Sequence, residues 1–149
     1  MKQKVLFFDF DGVLARKHTH PEEPFKGIPE LLKELHDKEY KICCVSYNPC
    51  ALFALNHWGV SELFTAIRAG SNIVWFENYT DEAYRCGLSK SEQILNIFNN
   101  ELSGYNMYDY DCQFFDDKQE NLDLVDSKLP HIRLKLINGN RGVEIYDIK

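Results

Sequence analysis

Short apolar runs alternate with amphipathic stretches along the first part of the chain. Val5 to Phe8 is an uninterrupted apolar run, which is typical of a strand buried on both faces of a parallel sheet. Apolar residues then recur at helical spacing from Ile28 to Leu35, which predicts an amphipathic helix over 28–38 that begins near Pro29. A second strand is predicted from Ile42 to Val45.

The alternation continues to the C-terminus. Ser89 and Glu92 have the spacing of a capping box, which predicts that a helix begins at Ser89. Between these regions, a helix is predicted from Pro49 to near Gly59, and a short strand near Ala66 and Ile67. After Ser89, the pattern predicts a strand at 113–115, a helix with Leu122 and Val125, and a last strand in which Ile132, Leu134 and Leu136 alternate with Arg133 and Lys135. A turn is predicted at 138–142, followed by residues 143–146, which pair back as a hairpin.

This order of elements predicts an α/β fold, a Rossmann-like three-layer sandwich with a central parallel sheet. Strands that alternate with helices form right-handed crossovers, which place helices on both faces of the sheet. The 149 residues are predicted to form a single domain, 1–149. Ligands of such sheets bind outside the carboxyl ends of the strands, so the polar residues at those ends are the candidates for function.

Composition narrows the classes of partner and compartment. The chain has 17 basic and 23 acidic residues, a net charge of −6, which argues against general binding of nucleic acid or anionic lipid. Its five cysteines are odd in number and form no C-x-x-C pair, which is typical of reduced thiols. No apolar run approaches the roughly 18–20 residues of a membrane span. We therefore expect a cytoplasmic protein with no membrane association. Because the chain is acidic, an anionic ligand would need a local site of positive charge, such as a bound metal ion.

Chemically capable residues follow three of the predicted strands. These are Asp9 and Asp11 after the first strand, Ser46, Tyr47 and Asn48 after the second, and Asp116 and Asp117 after the strand at 113–115. If the first and the late strand are neighbours, four carboxylates converge, and they cannot all stay ionised without a compensating cation. Oxygen ligands with room for water suit Mg²⁺. A lone strand-end aspartate is more often a helix cap, but two such pairs favour a metal site.

Four segments along the chain carry a recognisable order of motifs. They are 5–14 (VLFFDFDGVL), 45–48 (VSYN), Lys90 at a helix start, and 114–122 (FFDDKQENL). In this order they resemble the four motifs of the haloacid dehalogenase-like superfamily of aspartate-nucleophile phosphatases. The first and fourth segments are the specific ones. Arg85 and Lys118 are alternatives to Lys90 as the third-motif residue. The dehalogenases of the superfamily have tyrosine at the position of Asp11, so Asp11 favours a phosphatase.

The resemblance implies a Mg²⁺-dependent phosphatase that works through an aspartyl-phosphate. Asp9 would be the nucleophile, and Asp11 would be the general acid and then the general base. Mg²⁺ would be bound by Asp9, by the main-chain carbonyl of Asp11 and by Asp117, with Asp116 in direct or supporting contact. The phosphate-binding residues would be Ser46, Tyr47, Asn48 and Lys90.

The intervals between the motifs are too short for the cap domain of family members that act on small metabolites. The resemblance therefore implies an open site, which suits a phosphoprotein or a nucleic-acid end, or a small phosphate ester if a second copy of the chain covers the site in a homodimer. His18 and His20 lie where the family has a mobile flap, although solvated loop histidines are the simpler interpretation. Aromatic residues at 75–84 are interpreted as a small satellite core.

Two other classes of protein stay open at this point. A phospho-signalling receiver domain also uses aspartates, a hydroxyl residue and a lysine on a parallel sheet, but its adjacent acidic pair lies on the first strand. Here the adjacent pair, 116–117, comes late in the chain. A non-catalytic binding module with the same fold would normally have lost Asp9 or Asp11, and both are present.

Overall fold

A computed structural model of the chain describes residues 2–70, 89–102 and 109–148. In this part of the chain, five parallel strands form one sheet: β1 (Gln3–Phe8), β2 (Lys41–Ser46), β3 (Ala66–Ala69), β4 (Tyr110–Asp116) and β5 (Arg133–Leu136). Their order is β3-β2-β1-β4-β5. The chain leaves β1 to one side and later returns to its other side, so the switch point lies at the carboxyl ends of β1 and β4.

Helices cover both faces of this sheet. They are α1 (Ile28–Asp37), α2 (Ala51–His57), α3 (Lys90–Asn100) and α4 (Gln119–Lys128), with two short 3₁₀ turns at Ser61–Leu63 and Ile145–Asp147. The buried apolar residues form two clusters, one containing the inner sides of α1 and α2 and the other those of α3 and α4. The predicted three-layer α/β sandwich is therefore confirmed.

The central strand β1 is buried from both sides. Its last four residues, Val5 to Phe8, are each at most 1% exposed. Phe8 stacks on Phe115 of β4 with ring centroids 4.9 Å apart, and Phe7 packs against Phe98 of α3 on the opposite face. Burial of each such side chain stabilises the fold by about 1.5–3 kcal/mol. This packing fixes the position of the chain at Asp9, where β1 ends.

Adjacent cysteines on β2 point to the two faces of the sheet. Cys43 belongs to one apolar cluster and Cys44 to the other, and both side chains are fully buried. Burial raises the pKa of the Cys43 thiol to about 12, so it stays protonated. Both thiols are free, as the cysteine pattern predicted, and both side chains fill the core.

One prediction about the C-terminal part of the chain is wrong. The turn at 138–142 forms, but no hairpin follows: the Val143 N–H donates to Val13 O at 3.0 Å, and Ile145–Asp147 is a 3₁₀ turn. The side chain of Asp147 accepts from the Glu144 N–H at 2.9 Å and so favours the turn over a strand. The predicted last strand forms as β5, which among the described residues pairs with β4 alone, and its Leu136 is 49% exposed.

Within 2–70, 89–102 and 109–148, no cap domain is inserted, since 9–27 is a loop that leads directly from β1 to α1. Among the residues described, no helix has the length and apolar character required to cross a bilayer. The aromatic segment at 75–84 and Arg85 lie outside the described residues.

Candidate active site

The carboxyl ends of β1, β2 and β4 open into one cavity of about 470 Å³. Seven of the eight predicted site residues face this cavity, at three strand ends and one helix start: Asp9, Asp11, Ser46, Tyr47, Asn48, Asp117 and Lys90. Asp116 is fully buried immediately behind them. The register that pairs Phe8 of β1 with Phe115 of β4 brings these strand ends level. The structure therefore gathers every residue that the sequence assigned to the site.

Three carboxylates come close enough to share one cation. Asp9, Asp116 and Asp117, which we call the acidic cluster, each place an oxygen within 4.8 Å of the other two. The side chain of Asp11 is held apart from this cluster, because it accepts from Asn48 Nδ2 at 3.2 Å. This placement fits the expectation that Asp11 would reach a metal through its main-chain carbonyl and keep its carboxyl group for proton transfer.

Lys90 supplies a buried positive charge to the acidic cluster. Ser89 caps α3 by accepting from the Glu92 N–H at 3.3 Å, as the capping-box pattern predicted, and this start of the helix directs Lys90 inward. Lys90 Nζ donates to Asp9 Oδ1 at 2.7 Å and to Asp116 Oδ2 at 3.2 Å. Burial opposes the charge, but the two carboxylates outweigh it and raise the pKa of Lys90. The ammonium is therefore charged at neutral pH.

Asp9 is poorly compensated without a further cation. Its burial raises its pKa to about 7, and the neighbouring charge of Asp116 adds to this, although Lys90 acts in the opposite direction. The Phe10 N–H donates to Asp9 Oδ1 at 2.8 Å and fixes the plane of the carboxylate. One lysine shared by two buried carboxylates leaves a net negative charge that a divalent cation would neutralise.

The adjacent pair at the end of β4 has an uneven set of partners. Asp116 has both oxygens occupied: Oδ1 accepts from the Lys118 N–H at 3.0 Å, and Oδ2 accepts from Asn121 Nδ2 at 3.2 Å as well as from Lys90. Asp117 has a side chain that is only 2% exposed. Its Oδ2 lies 2.6 Å from Lys17 Nζ but accepts no well-aligned hydrogen bond. A buried, under-coordinated carboxylate oxygen beside two others fits a hard cation such as Mg²⁺.

The residues after β2 hold other parts of the site in place. Ser46 Oγ accepts from the Asn48 N–H at 3.0 Å, and Ser46 is 1% exposed at the floor of the cavity. The Tyr47 hydroxyl accepts from the Lys90 N–H at 3.1 Å, and its ring centroid lies 5.0 Å from Lys90 Nζ. Tyr47 therefore supports Lys90, and Asn48 orients Asp11.

Two residues of the site were missed by the reasoning from sequence. Gln93 is 1% exposed and donates from Nε2 to Ser46 O at 3.0 Å and to Gly70 O at 3.1 Å, so it ties α3 to the ends of β2 and β3. Its position three residues after Lys90, on the same face of a helix, was the available signal. The second is Lys17, whose contact with Asp117 has no signal in sequence spacing.

The loop after β1 forms one wall of the cavity. We call residues 16–23 the flap loop. Its base is closed by the Arg16 N–H, which donates to Glu23 O at 2.8 Å, and Trp58 Nε1 donates to Glu22 O at 3.1 Å. His18 and His20 line the cavity from this loop. The flap therefore lies beside the site, as the resemblance implied.

Comparison with known proteins identifies the fold. The sequence matches no family model and no curated protein. The phosphatase-domain part of a Bacteroides fragilis protein, solved with Mg, has a TM-score of 0.68 at 14% identity over 99% of this chain and 39% of that one. The core domain of a Streptococcus pneumoniae protein described as a putative phosphoglycolate phosphatase has a TM-score of 0.59 at 17% identity, over 99% and 93% of the two chains.

A phosphoserine phosphatase, solved as a phospho-aspartyl intermediate analogue, has a TM-score of 0.53 at 15% identity, over 86% of this chain and 83% of that one. The chain therefore has the fold of the haloacid dehalogenase-like phosphatases, as the motifs implied. It spans about two fifths of the Bacteroides chain.

Proposed function

We propose that this protein is a Mg²⁺-dependent phosphomonoester hydrolase that forms an aspartyl-phosphate on Asp9. The observation that carries the proposal is the acidic cluster, in which Lys90 bridges Asp9 and Asp116. A fold shared with phosphatases, one solved with Mg and another as a phospho-aspartyl analogue, supports the same chemistry. Phosphoryl transfer needs positioning and charge neutralisation above all, and this arrangement offers both.

Asp9 is held in a suitable orientation to attack phosphorus. Its Oδ1 accepts from Lys90 Nζ and from the Phe10 N–H, and no donor among the described residues occupies Oδ2. We assign to Oδ2 the in-line attack, in which the Asp9–phosphorus bond forms as the bond to the leaving oxygen breaks. Mg²⁺ bound by Asp9, the Asp11 carbonyl and Asp117 would neutralise charge on the phosphoryl oxygens. Ser46 and Lys90 donate hydrogen bonds to the same group in this proposal.

Asp11 is placed to move protons in both halves of the reaction. Its carboxyl group lies on the cavity wall and is oriented by Asn48. It gives a proton to the leaving oxygen in the first half. It then takes a proton from the water that attacks phosphorus, and the bond from phosphorus to Asp9 breaks to release inorganic phosphate.

The direct test is release of phosphate from a generic aryl phosphate. We expect hydrolysis in the presence of Mg²⁺ and loss of activity to background when EDTA is added, with recovery on excess Mg²⁺. An aryl phosphate is suited to this test because the described cavity is open and the leaving group is good. Full activity in EDTA would exclude a metal-dependent mechanism.

Replacing Asp11 with Asn is expected to separate the two halves of the reaction. An aryl leaving group departs without help from an acid, so phosphorylation of Asp9 should continue while hydrolysis of the intermediate slows by roughly 10²–10⁴-fold. Acid-quench mass spectrometry should then show an added phosphate on Asp9 in the variant. Wild-type turnover in Asp11→Asn would contradict the acid and base role.

Because the cavity is open, we propose a phosphoprotein, a nucleic-acid end or a small phosphate ester as the substrate. A small ester would require a second subunit to cover the site. A screen of phosphopeptides, 3′- and 5′-phosphorylated nucleotides and sugar phosphates would distinguish these classes. A small ester as the best substrate, together with a dimer in solution, would favour the covered form of the site.

A further inference from the structure

Lys17 enters the acidic cluster from the flap loop. Its Nζ lies 2.6 Å from Asp117 Oδ2, and the Lys17 side chain is 39% exposed whereas that of Asp117 is 2% exposed. The backbone beneath it is fixed by the Arg16 N–H, which donates to Glu23 O. Lys17 therefore stands at a fixed point on the rim of the cavity, with a flexible four-carbon stem that ends at a buried carboxylate.

Two glycines leave the space that this contact occupies. A Cβ on Gly139 would lie 2.6 Å from Lys17 Nζ and 2.8 Å from Asp117 Oδ2. A Cβ on Gly12 would lie 2.7 Å from Lys17 Cε and 2.5 Å from Asp117 Oδ2. Gly12 has φ of +80°, which favours glycine in any case, but Gly139 has no left-handed backbone. A side chain at Gly139 would therefore meet the contact between Lys17 and Asp117 and displace Lys17.

The oxygen that Lys17 approaches is the one best suited to a metal. Asp117 Oδ2 is the buried carboxylate oxygen without a well-aligned donor, in the cluster where three carboxylates meet. In the described site, three carboxylates face two lysines, Lys90 and Lys17. A divalent cation together with Lys90 would balance the three carboxylates of the acidic cluster. The charge of Lys17 would then face Asp11, which lines the same cavity, and any anion that enters it.

The phosphate group of a substrate would be such an anion, because in the proposed function it binds in the same cavity. Lys17 lines it together with Ser46 and Lys90, the two side chains to which we assign phosphoryl binding. We propose that Lys17 competes with the divalent cation for Asp117 and, once displaced, binds the phosphate group of the substrate. The proposal rests on the function proposed above. In this proposal Lys17 pairs with Asp117 until the metal binds, and it then becomes a ligand of the phosphate. The metal therefore binds first and the phosphate second.

The first measurement is Mg²⁺ affinity by titration calorimetry without phosphate. We compare the wild-type protein with Lys17→Met and with Lys118→Met. Lys118 is an exposed lysine that lines the same cavity, so its replacement removes an equal charge without touching the contact on Asp117. We expect Lys17→Met to bind Mg²⁺ about tenfold more tightly than wild type, and Lys118→Met to change the affinity by less than about twofold.

The second measurement is the affinity for inorganic phosphate at saturating Mg²⁺. Lys17→Met should bind phosphate about tenfold more weakly than wild type, because a charged donor is lost. Lys17→Gln, which keeps a polar end, serves as a second variant if Lys17→Met folds poorly. Unchanged Mg²⁺ affinity, or unchanged phosphate affinity, in a folded Lys17 variant would overturn the proposal.

The two proposals fail in different ways. A wild-type protein that hydrolyses an aryl phosphate with Mg²⁺, while Lys17 variants keep wild-type affinities, overturns the inference on Lys17 alone. A wild-type protein that neither binds Mg²⁺ in calorimetry nor releases phosphate overturns the proposed function and the inference together. We expect the Lys17 variant to bind Mg²⁺ more tightly and phosphate more weakly than wild type. Loss of a merely structural contact would not shift the two affinities in opposite directions.

Discussion

Replacement of Asp9 by Asn is expected to lower phosphatase turnover by roughly 10⁴–10⁶-fold, the effect of removing a nucleophile. Asn has nearly the same size, and its Oδ1 accepts the same hydrogen bonds from Lys90 Nζ and the Phe10 N–H. Its side chain cannot form the bond to phosphorus. Phosphate release from an aryl phosphate, measured at saturating Mg²⁺, checks the rate.

Stability of the same variant separates lost chemistry from lost structure. The pKa of Asp9 is raised to about 7 from 3.8, chiefly by burial, so its ionisation disfavours the metal-free fold increasingly as the pH rises from about 4 to 7. Asn carries no charge, and we expect Asp9→Asn without metal at pH 8 to be at least as stable as wild type. Asp126→Asn, an exposed change on α4, is the matched control for activity. A folded Asp9→Asn protein with wild-type turnover would remove the nucleophile assignment.

The position of the site follows from the sequence because its determinants are local. The apolar run at Val5 to Phe8 is typical of a strand covered on both sides, and Asp9 and Asp11 follow it closely. Parallel strands end at the same edge of a sheet, so polar residues after β2 and β4 must approach Asp9. The start of α3 was given by a capping pattern that also is local, and it fixes the place of Lys90.

What the sequence did not predict depends on contacts between segments far apart in the chain. The approach of Lys17 to Asp117 needs room at Gly139, and no periodicity links these three residues. The exposure of Leu136 also depends on distant parts of the chain, because among the described residues β5 pairs with β4 alone.

The wrong hairpin has a similar cause. The turn at 138–142 was recognised correctly, but a turn does not determine which partner the following residues find. Val143 is buried and donates its N–H to Val13, in the loop after β1. The C-terminal segment thus supports the loop that follows β1 and adds no strand to the sheet.

Replacement of Lys90 by Met is expected to destabilise the metal-free protein by about 3–5 kcal/mol, because it leaves two buried carboxylates without their cation. Lys90 is 3% exposed, so solvent does not screen this loss. For a chain of this length the unfolding midpoint should fall by on the order of 10 °C. Lys33→Met, an exposed change on α1, should alter stability by no more than about 1 kcal/mol, since the ion pair of Lys33 with Asp37 is exposed.

The response of this variant to Mg²⁺ distinguishes a functional cation from a purely structural one. If the acidic cluster binds the metal, the charge of Mg²⁺ compensates Asp9 and Asp116, and Mg²⁺ should raise the unfolding midpoint of Lys90→Met by more than that of wild type. Turnover should nonetheless stay at least about 10²-fold below wild type at saturating Mg²⁺, because the donor to Asp9 and to the phosphoryl group is absent. Calorimetric scans with and without Mg²⁺, alongside the aryl phosphate assay, give both quantities. Stability and turnover equal to those of Lys33→Met would show that the buried ammonium does not hold Asp9, and the mechanism would then need another cation in its place.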